Sequence, residues 1–143
     1  MIKITGFLHT NTSYTVVYYQ LDSVLNIESS AMCDECIPWR ESSECMVWLD
    51  MNGTVYEIEC IFPKEAEALG DWHSYDVKSI HATPTCKVSC DEKSIEVFID
   101  HTRLFIIFNK KKKADMKYVS SSIVYHVSAD ELVAIECTDF KLL

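Results

Sequence analysis

The chain has 143 residues, 48% of them hydrophobic, and a formal net charge of −9. This length is enough for one domain with a substantial core, so residues 1–143 are predicted to form a single domain. The longest apolar run, residues 104–108, is far too short to cross a bilayer, and the first residues carry no secretory signal. We therefore expect a soluble, cytoplasmic protein with no membrane association.

The net charge comes entirely from residues 28–71. This stretch holds eleven Asp and Glu residues against only Arg40 and Lys64, while eleven acids and eleven bases cancel in the rest of the chain. An acidic surface attracts basic partners and repels nucleic acid and anionic membranes. The expected partner is therefore a basic surface on another protein.

Over most of the chain, hydrophobic residues alternate with polar ones, which predicts β-strands. The first strand begins at Ile2, and the second begins at Tyr14 after a polar turn. Residues 21–32 have spacings that suit both a helix and a short strand. We expect them to be irregular.

The clearest local signal is a hairpin that turns at Asn52 and Gly53, because this dipeptide supplies the positive φ angles that a tight turn needs. Alternation after the turn places Glu57 and Glu59 on the face opposite Ile58. We therefore expect the two glutamates to form an exposed acidic row.

Pro63 suits the first position of a helix and Gly70 suits a helix stop, so residues 64–69 are predicted to form a two-turn helix. Further strands are predicted at residues 77–81, 86–90, 95–99, 104–108, 118–127 and 133–137. About nine strands and one short helix, without a βαβ pattern, predict a mainly β fold. It should be an antiparallel β-sandwich or a partly open β-barrel.

Seven cysteines are an odd number, and in a cytosolic chain they predict free thiols rather than a disulfide framework. Cys86 and Cys90 alternate on a predicted strand and would lie roughly 13 Å apart, too far to share one zinc ion. Cys33, Cys36 and Cys45 remain as candidate metal ligands, with a histidine as the fourth. A structural zinc and a regulatory disulfide are the alternatives to free thiols.

No catalytic motif is present: the sequence has no nucleophile elbow, phosphate-binding glycine loop or paired-histidine metal signature. The acidic surroundings of Cys33 and Cys36 disfavour the reactive thiolate that a cysteine nucleophile needs. We therefore expect neither enzymatic activity nor a cofactor, although a spatial pair of cysteine and histidine is left open.

A basic run, Lys110 to Lys113, follows the apolar residues 104–108 directly. Such a run next to an apolar strand is typical of a solvated hairpin loop that opposes aggregation. The functional alternatives are a patch for phosphate or an acidic partner, a contact with the acidic stretch, and a nuclear-localisation signal.

Two tryptophans lie within the acidic stretch. Trp48 is predicted on a strand, on the face opposite Val47, and Trp39 in a loop between acidic residues. A tryptophan ringed by charge is typical of an interface anchor, so Trp39 is the predicted contact with a partner. The acids predicted to steer that partner are Glu41, Glu44, Asp50, Glu57 and Glu59.

These features predict a non-enzymatic acidic binding protein that masks a basic site on a partner protein. In size, charge and solubility the chain resembles small acidic immunity proteins of bacterial toxin systems and phage-encoded inhibitors of host defence. The alternatives are a small structural zinc-binding protein and a ligand-binding β-barrel. A homodimer formed through an exposed edge strand is also left open. The hydroxyls that would line the barrel belong to Tyr14, Tyr18, Tyr19, Tyr56 and Tyr125.

Overall fold

The computed structural model of the chain describes residues 1–73 and 76–143. The described strands are β1 (Ile2–Leu8), β2 (Tyr14–Tyr19), β3 (Val24–Ser29), β4 (Ile37–Ser42), β5 (Cys45–Leu49), β6 (Val55–Ile61), β7 (Lys64–Glu65), β8 (Lys78–His81), β9 (Thr83–Val88), β10 (Glu96–Ile99), β11 (Leu104–Ile107), β12 (Met116–Ser120), β13 (Ile123–Ser128), β14 (Glu131–Cys137) and β15 (Lys141–Leu142). A single 3-10 turn, Asp71–His73, is the helical element of these residues.

The strands form two sheets, and the predicted mainly β, sandwich-like fold is confirmed. The six-stranded sheet has the order β15-β2-β3-β6-β5-β4. The nine-stranded sheet follows the path β7-β10-β11-β14-β13-β12-β8, with β1 pairing with β14 and β9. Neither sheet closes into a barrel over the described residues, so the barrel alternative is not realised.

The inward faces of the two sheets pack together as the main core. Val47 and Ile58 of the six-stranded sheet and Ile106 of the nine-stranded sheet belong to one buried cluster. Within it, the Tyr125 hydroxyl donates to the Tyr14 hydroxyl at 3.1 Å, and Tyr14 donates to the Val55 carbonyl at 2.9 Å. Burial raises the pKa of Tyr14 to about 12, so its hydroxyl stays protonated. These two tyrosines are buried in the core.

The predicted hairpin at Asn52 and Gly53 is confirmed. It joins β5 to β6, and Gly53 alone takes the positive φ, at 85°. The Asp50 amide donates to the Thr54 carbonyl at 3.0 Å and closes the turn. Register then keeps Ile58 in the core and points the alternate residues of β6 outward.

The predicted helix over residues 64–69 is wrong. Six residues are too few for a helix that is stable by itself, and an unpaired strand edge lies nearby. The Lys64 amide donates to the Ile95 carbonyl at 2.9 Å and the Ala66 amide to the Val97 carbonyl at 2.8 Å, so this segment begins as β7 on the edge of β10. It then crosses the outside of the nine-stranded sheet and ends in the 3-10 turn.

This crossing segment explains why every residue of β11 is buried. Leu104 and Ile106 face the main core, whereas Phe105 and Ile107 face a second cluster on the outer side of the nine-stranded sheet. Trp72 from the 3-10 turn is 1% exposed and covers that cluster. The outer side of this sheet is therefore partly a packed interior.

Three further predictions need correction. Residues 21–32, expected to be irregular, contain β3, because pairing with both β2 and β6 favours the strand over either local preference. Residues 118–127, expected to be one strand, form a hairpin of β12 and β13 that turns at Ser121, whose φ is 56°. Trp39, expected in a loop, lies on β4 at the edge of the six-stranded sheet.

Candidate functional site

The outer face of the six-stranded sheet carries three of the acids of the 28–71 stretch. Glu28 of β3 is the cross-strand partner of Glu57 on β6, and Glu57 is in turn the partner of Trp48 on β5. One step along the strands, Glu59 is the partner of Met46 on β5. We call the surface made by these five residues the acidic face.

The carboxylates of the acidic face are not paired with a described cation, although register places Arg40 of β4 on the same outer face, opposite Met46. Glu28, Glu57 and Glu59 form no salt bridge with any described residue. The one polar contact among them is the Asn26 amide, which donates to Oε1 of Glu57 at 2.9 Å. Like charges directly opposite on adjacent strands destabilise a sheet, so folding itself gives no reason for this arrangement.

Apolar side chains lie beside these carboxylates. Trp48 and Met46 are half-buried, and at one end of the face Tyr19 and Ile61 are each 41% exposed. All four side chains point outward with the glutamates, since residues that pair directly, or that lie two apart on one strand, share one face of a sheet. The acidic face thus has its carboxylates on β3 and β6 and its apolar side chains on the neighbouring strand β5.

Trp39 does not belong to the acidic face. Its cross-strand partner is Val47, which points into the core, so Trp39 lies on the inward side of β4. It is nevertheless 44% exposed, because β4 is the last strand of the sheet. Sequence reasoning chose Trp39 as the anchor, whereas the tryptophan that register places beside Glu57 is Trp48.

Glu41 is buried rather than exposed. It is 2% exposed, and its Oε1 lies 3.2 Å from the amino group of Met1. Its Oε2 has no hydrogen-bond partner among the described residues, and burial raises the pKa of this carboxyl, partly offset by the Met1 charge. A partner protein would therefore not meet this carboxylate at the surface.

Glu44 and Asp50 are both occupied by backbone groups. Oε2 of Glu44 accepts from the Ile95 amide at 3.3 Å, which ties the β4–β5 turn to the other sheet. Asp50 accepts from the amides of Asn52 and Thr54 at 2.9 and 3.0 Å, and so fixes the hairpin turn. Of the five predicted acids, only Glu57 and Glu59 stand on the acidic face.

The structure does not bring the three candidate zinc ligands together. Cys33 and Cys36 are joined by a disulfide, so the expectation of free thiols is wrong for this pair. Cys45 is buried in the core with its sulfur 3.7 Å from that of Cys60. The described residues contain no group of three or more His, Cys, Asp or Glu side chains placed to hold a metal.

The lysine run forms the solvated turn between β11 and β12, which are not neighbours in the sheet, so it is not a hairpin loop. Lys110 forms a salt bridge with Glu96 at 3.3 Å, and Lys112 forms one with Glu131 at 2.8 Å. The side chains of Lys110 and Lys112 thus pair with acids of the nine-stranded sheet, while the Lys110 carbonyl accepts from the Asp71 amide.

A polar pocket on the outer face of the nine-stranded sheet was missed by sequence reasoning. It has a volume of about 370 Å³ and lies beside Trp72, with strand residues Lys117, His126 and Glu136 among its lining. We call it the His126 pocket. A signal was available, because His126 and Glu136 interrupt apolar strands at outward positions, but ten residues of separation match no motif.

No protein-family model and no curated protein matches the sequence. The described residues also contain no helix of the length and hydrophobicity that crossing a membrane requires. Any function must therefore be inferred from the geometry of the acidic face and of the His126 pocket.

Proposed function

We propose that this protein is a non-enzymatic binding protein whose acidic face docks on a basic site of a partner protein and masks it. The observation that carries the proposal is the adjacency of Glu28, Glu57 and Glu59, none of which forms a salt bridge with a described residue. A partner that brings lysine or arginine to this face removes a repulsion that the free protein retains.

The apolar side chains of the face on β5 support a protein partner rather than a diffuse ion atmosphere. Trp48 offers a large ring that a partner side chain can cover, and an arginine stacked on it would also meet Glu57. Charge on such a surface mainly raises the association rate, and packing around an aromatic anchor sets the lifetime. A six-stranded sheet holds these groups in fixed positions, which limits the ordering cost of binding.

The same electrostatics narrows the class of partner. An enzyme with a cationic cleft, such as a nuclease or a nucleotide-binding effector, presents the complementary charge, so an inhibitor or immunity role fits. Nucleic acid and anionic membranes are disfavoured because they would add negative charge to the face. Five free cysteines, four of them buried, favour a cytoplasmic setting, whereas the Cys33–Cys36 disulfide favours an oxidising one.

The test compares two triple variants with the same change in charge. The wild-type protein recovers partners from a lysate, and association and dissociation rates are then measured for each purified partner at low and high salt. Glu28→Lys, Glu57→Lys and Glu59→Lys together should slow association at least about tenfold at low salt. Glu65→Lys, Glu67→Lys and Asp71→Lys together form the control, because these exposed acids lie off the acidic face.

The control should associate within about threefold of the wild type, since long-range charge alone is largely screened at ordinary salt. Trp48→Ala should raise the dissociation rate and leave the association rate nearly unchanged. Equal slowing by both triple variants, or binding that is insensitive to salt, would show that the acidic face is not the docking surface.

A further inference from the structure

The floor of the His126 pocket is a fixed ionic group. Nε2 of His126 lies 2.9 Å from Oε1 of Glu136, and Nη1 of Arg103 lies 3.5 Å from Oε2. The hydrogen bond from His126, and then the nearby charges, hold the pKa of Glu136 below its ordinary value, so it is a carboxylate at neutral pH. Both carboxylate oxygens are therefore already engaged.

Arg103 is also held in place. Its Nη2 forms a salt bridge with Asp100 at 3.2 Å, and its guanidinium carbon lies 5.2 Å from the centre of the Phe105 ring. A guanidinium has five N–H donors, and these two carboxylates do not use all of them. Arg103 thus lines the pocket in a fixed orientation with donors to spare.

Donors outnumber acceptors in the rest of the pocket. Lys117, the cross-strand partner of His126, forms no hydrogen bond or salt bridge with a described residue. The Trp72 indole N–H is buried and has no acceptor among the described residues. The remaining carboxylate of the lining, Asp76, is exposed, so water screens its charge. A buried donor without an acceptor costs free energy that a ligand oxygen would recover.

We propose that the His126 pocket binds a small polar molecule through an oxyanion, either a carboxylate or a phosphate group. The oxyanion takes its charge partner from Lys117 and hydrogen bonds from the free N–H groups of Arg103. Lys117 is the lysine of the described lining, and it forms no salt bridge with a described residue, whereas Arg103 already pairs with Asp100 and Glu136. A volume of about 370 Å³ exceeds the size of a bare anion, and Val77 is the one aliphatic residue of the described lining, so the organic part is small and polar.

This site is separate from the acidic face, and its test does not depend on any partner protein. The chain has three tryptophans, and each gives one indole N–H signal in a proton–nitrogen correlation spectrum. Trp72 packs against His126 with ring centres 4.6 Å apart, so its signal reports on the pocket. Trp39 and Trp48 lie on the other sheet and act as internal references; their signals are assigned by Trp39→Phe and Trp48→Phe.

The protein is titrated separately with sodium acetate, sodium phosphate and sodium chloride at matched ionic strength. The Trp72 signal should move along a saturable curve with acetate or phosphate, and the two reference signals should not. The anion with the tighter curve identifies which oxyanion the pocket favours. Chloride should give no saturable change.

Lys117→Met should weaken the binding at least about tenfold, because a charge-assisted hydrogen bond is lost. Lys117→Arg should restore most of it, and Lys111→Met, the same change at an exposed lysine of the turn, should have no effect. A Trp72 signal unmoved by both oxyanions, equal shifts of all three signals, or binding unchanged in Lys117→Met would overturn the proposal. Preserved dispersion of the spectrum separates loss of binding from loss of the fold.

Discussion

The acids on the outer faces of the two sheets differ in whether they form salt bridges. On the nine-stranded sheet, Glu96, Glu131 and Glu136 each form a salt bridge, with Lys110, Lys112 and Arg103 respectively. On the six-stranded sheet, Glu28, Glu57 and Glu59 form none with a described residue. Of the eleven acids between residues 28 and 71, only Glu41 forms such a pair within the described part of the chain.

The difference separates charge that supports the fold from charge that does not. Paired carboxylates under a packed cover act as part of the structure, and removing one leaves its partner donors unsatisfied. Carboxylates without a salt bridge at directly opposite positions of a sheet oppose folding, so their presence calls for another explanation. A partner protein that supplies the missing cations is the explanation we propose.

The largest expected difference in the free energy of unfolding is between alanine substitutions of Trp72 and Trp48, which lie on the outer sides of the two sheets. Trp72→Ala should lower the free energy of unfolding by about 3–5 kcal/mol, because it uncovers the cluster around Phe105 and leaves a cavity. Trp48→Ala should cost under about 1.5 kcal/mol, since Trp48 is half-buried on an open face. Urea unfolding followed by circular dichroism gives both values.

Similar losses in the free energy of unfolding for Trp72→Ala and Trp48→Ala would contradict this difference. A cost for Trp48→Ala as large as that for Trp72→Ala would mean that the acidic face is itself packed in the folded protein. Trp39→Ala provides a third value on the same sheet, and its exposure predicts a loss no larger than that for Trp48→Ala.

The next prediction tests how tightly the crossing segment, residues 66–73, packs against the lysine run. A Cβ at Gly70 would lie 2.5 Å from the Lys110 carbonyl oxygen, and the Asp71 amide donates to that oxygen at 2.7 Å. Gly70→Ala should therefore force the segment outward and cost about 1–3 kcal/mol in urea unfolding. Gly6→Ala is the control, because its Cβ would approach only the Thr85 side chain, at 3.2 Å. Equal effects would mean that the segment yields freely.

A pair of glutamine substitutions compares one acid from each face. Glu136→Gln should lower the free energy of unfolding by about 1–3 kcal/mol, because His126 and Arg103 lose a charged acceptor. Glu57→Gln removes a repulsion with Glu28 and should leave stability unchanged or raise it by a few tenths of a kcal/mol. Urea unfolding measures both changes in the free energy of unfolding. A loss for Glu136→Gln with no loss for Glu57→Gln supports the contrast between the two faces, and two losses of equal size contradict it.

Acid should erase the Glu136 contribution. The folded state holds the pKa of Glu136 below the ordinary 4.5, so in acid the unfolded chain binds the proton more readily. The contribution is complete above that ordinary value and is lost as the pH falls through the lowered one. The stability gap between wild type and Glu136→Gln should therefore shrink in acid, as urea unfolding at several pH values would record. A gap that grew in acid would contradict the assigned direction.

The features that the sequence predicted correctly are those whose signal lies within a few neighbouring residues. The hairpin at Gly53 and the outward placement of Glu57 and Glu59 followed from turn chemistry and alternation, which act over a few residues. The failure at residues 64–69 has a non-local cause, since the edge of β10 captured a segment whose composition suits a helix. No pattern within that segment shows that a strand edge lies nearby.

For the candidate sites, too, local signals were visible in the sequence and non-local ones were not. Trp48 was placed opposite Val47 by alternation, but whether Trp48 or Trp39 accompanies Glu57 depends on the pairing of β4 with β5, which the sequence does not show. The His126 pocket needs three strands and a crossing segment to assemble. Its residues are far apart in the chain and have no fixed spacing, so only the folded topology brings them together.

The smallest expected effect reverses one charge on the acidic face. Glu28→Lys places a cation opposite Glu57 and should raise the free energy of unfolding by up to about 1 kcal/mol at low salt, a gain that added salt screens. Glu65→Lys makes the same change in net charge away from the face and should stay within about 0.5 kcal/mol of the wild type. If both variants gain equally, relief of the overall net charge explains the gain and the pairing of Glu28 with Glu57 does not. If only Glu28→Lys gains, and the same variant binds a basic partner more slowly, then the charge that weakens the free fold is the charge that the partner uses.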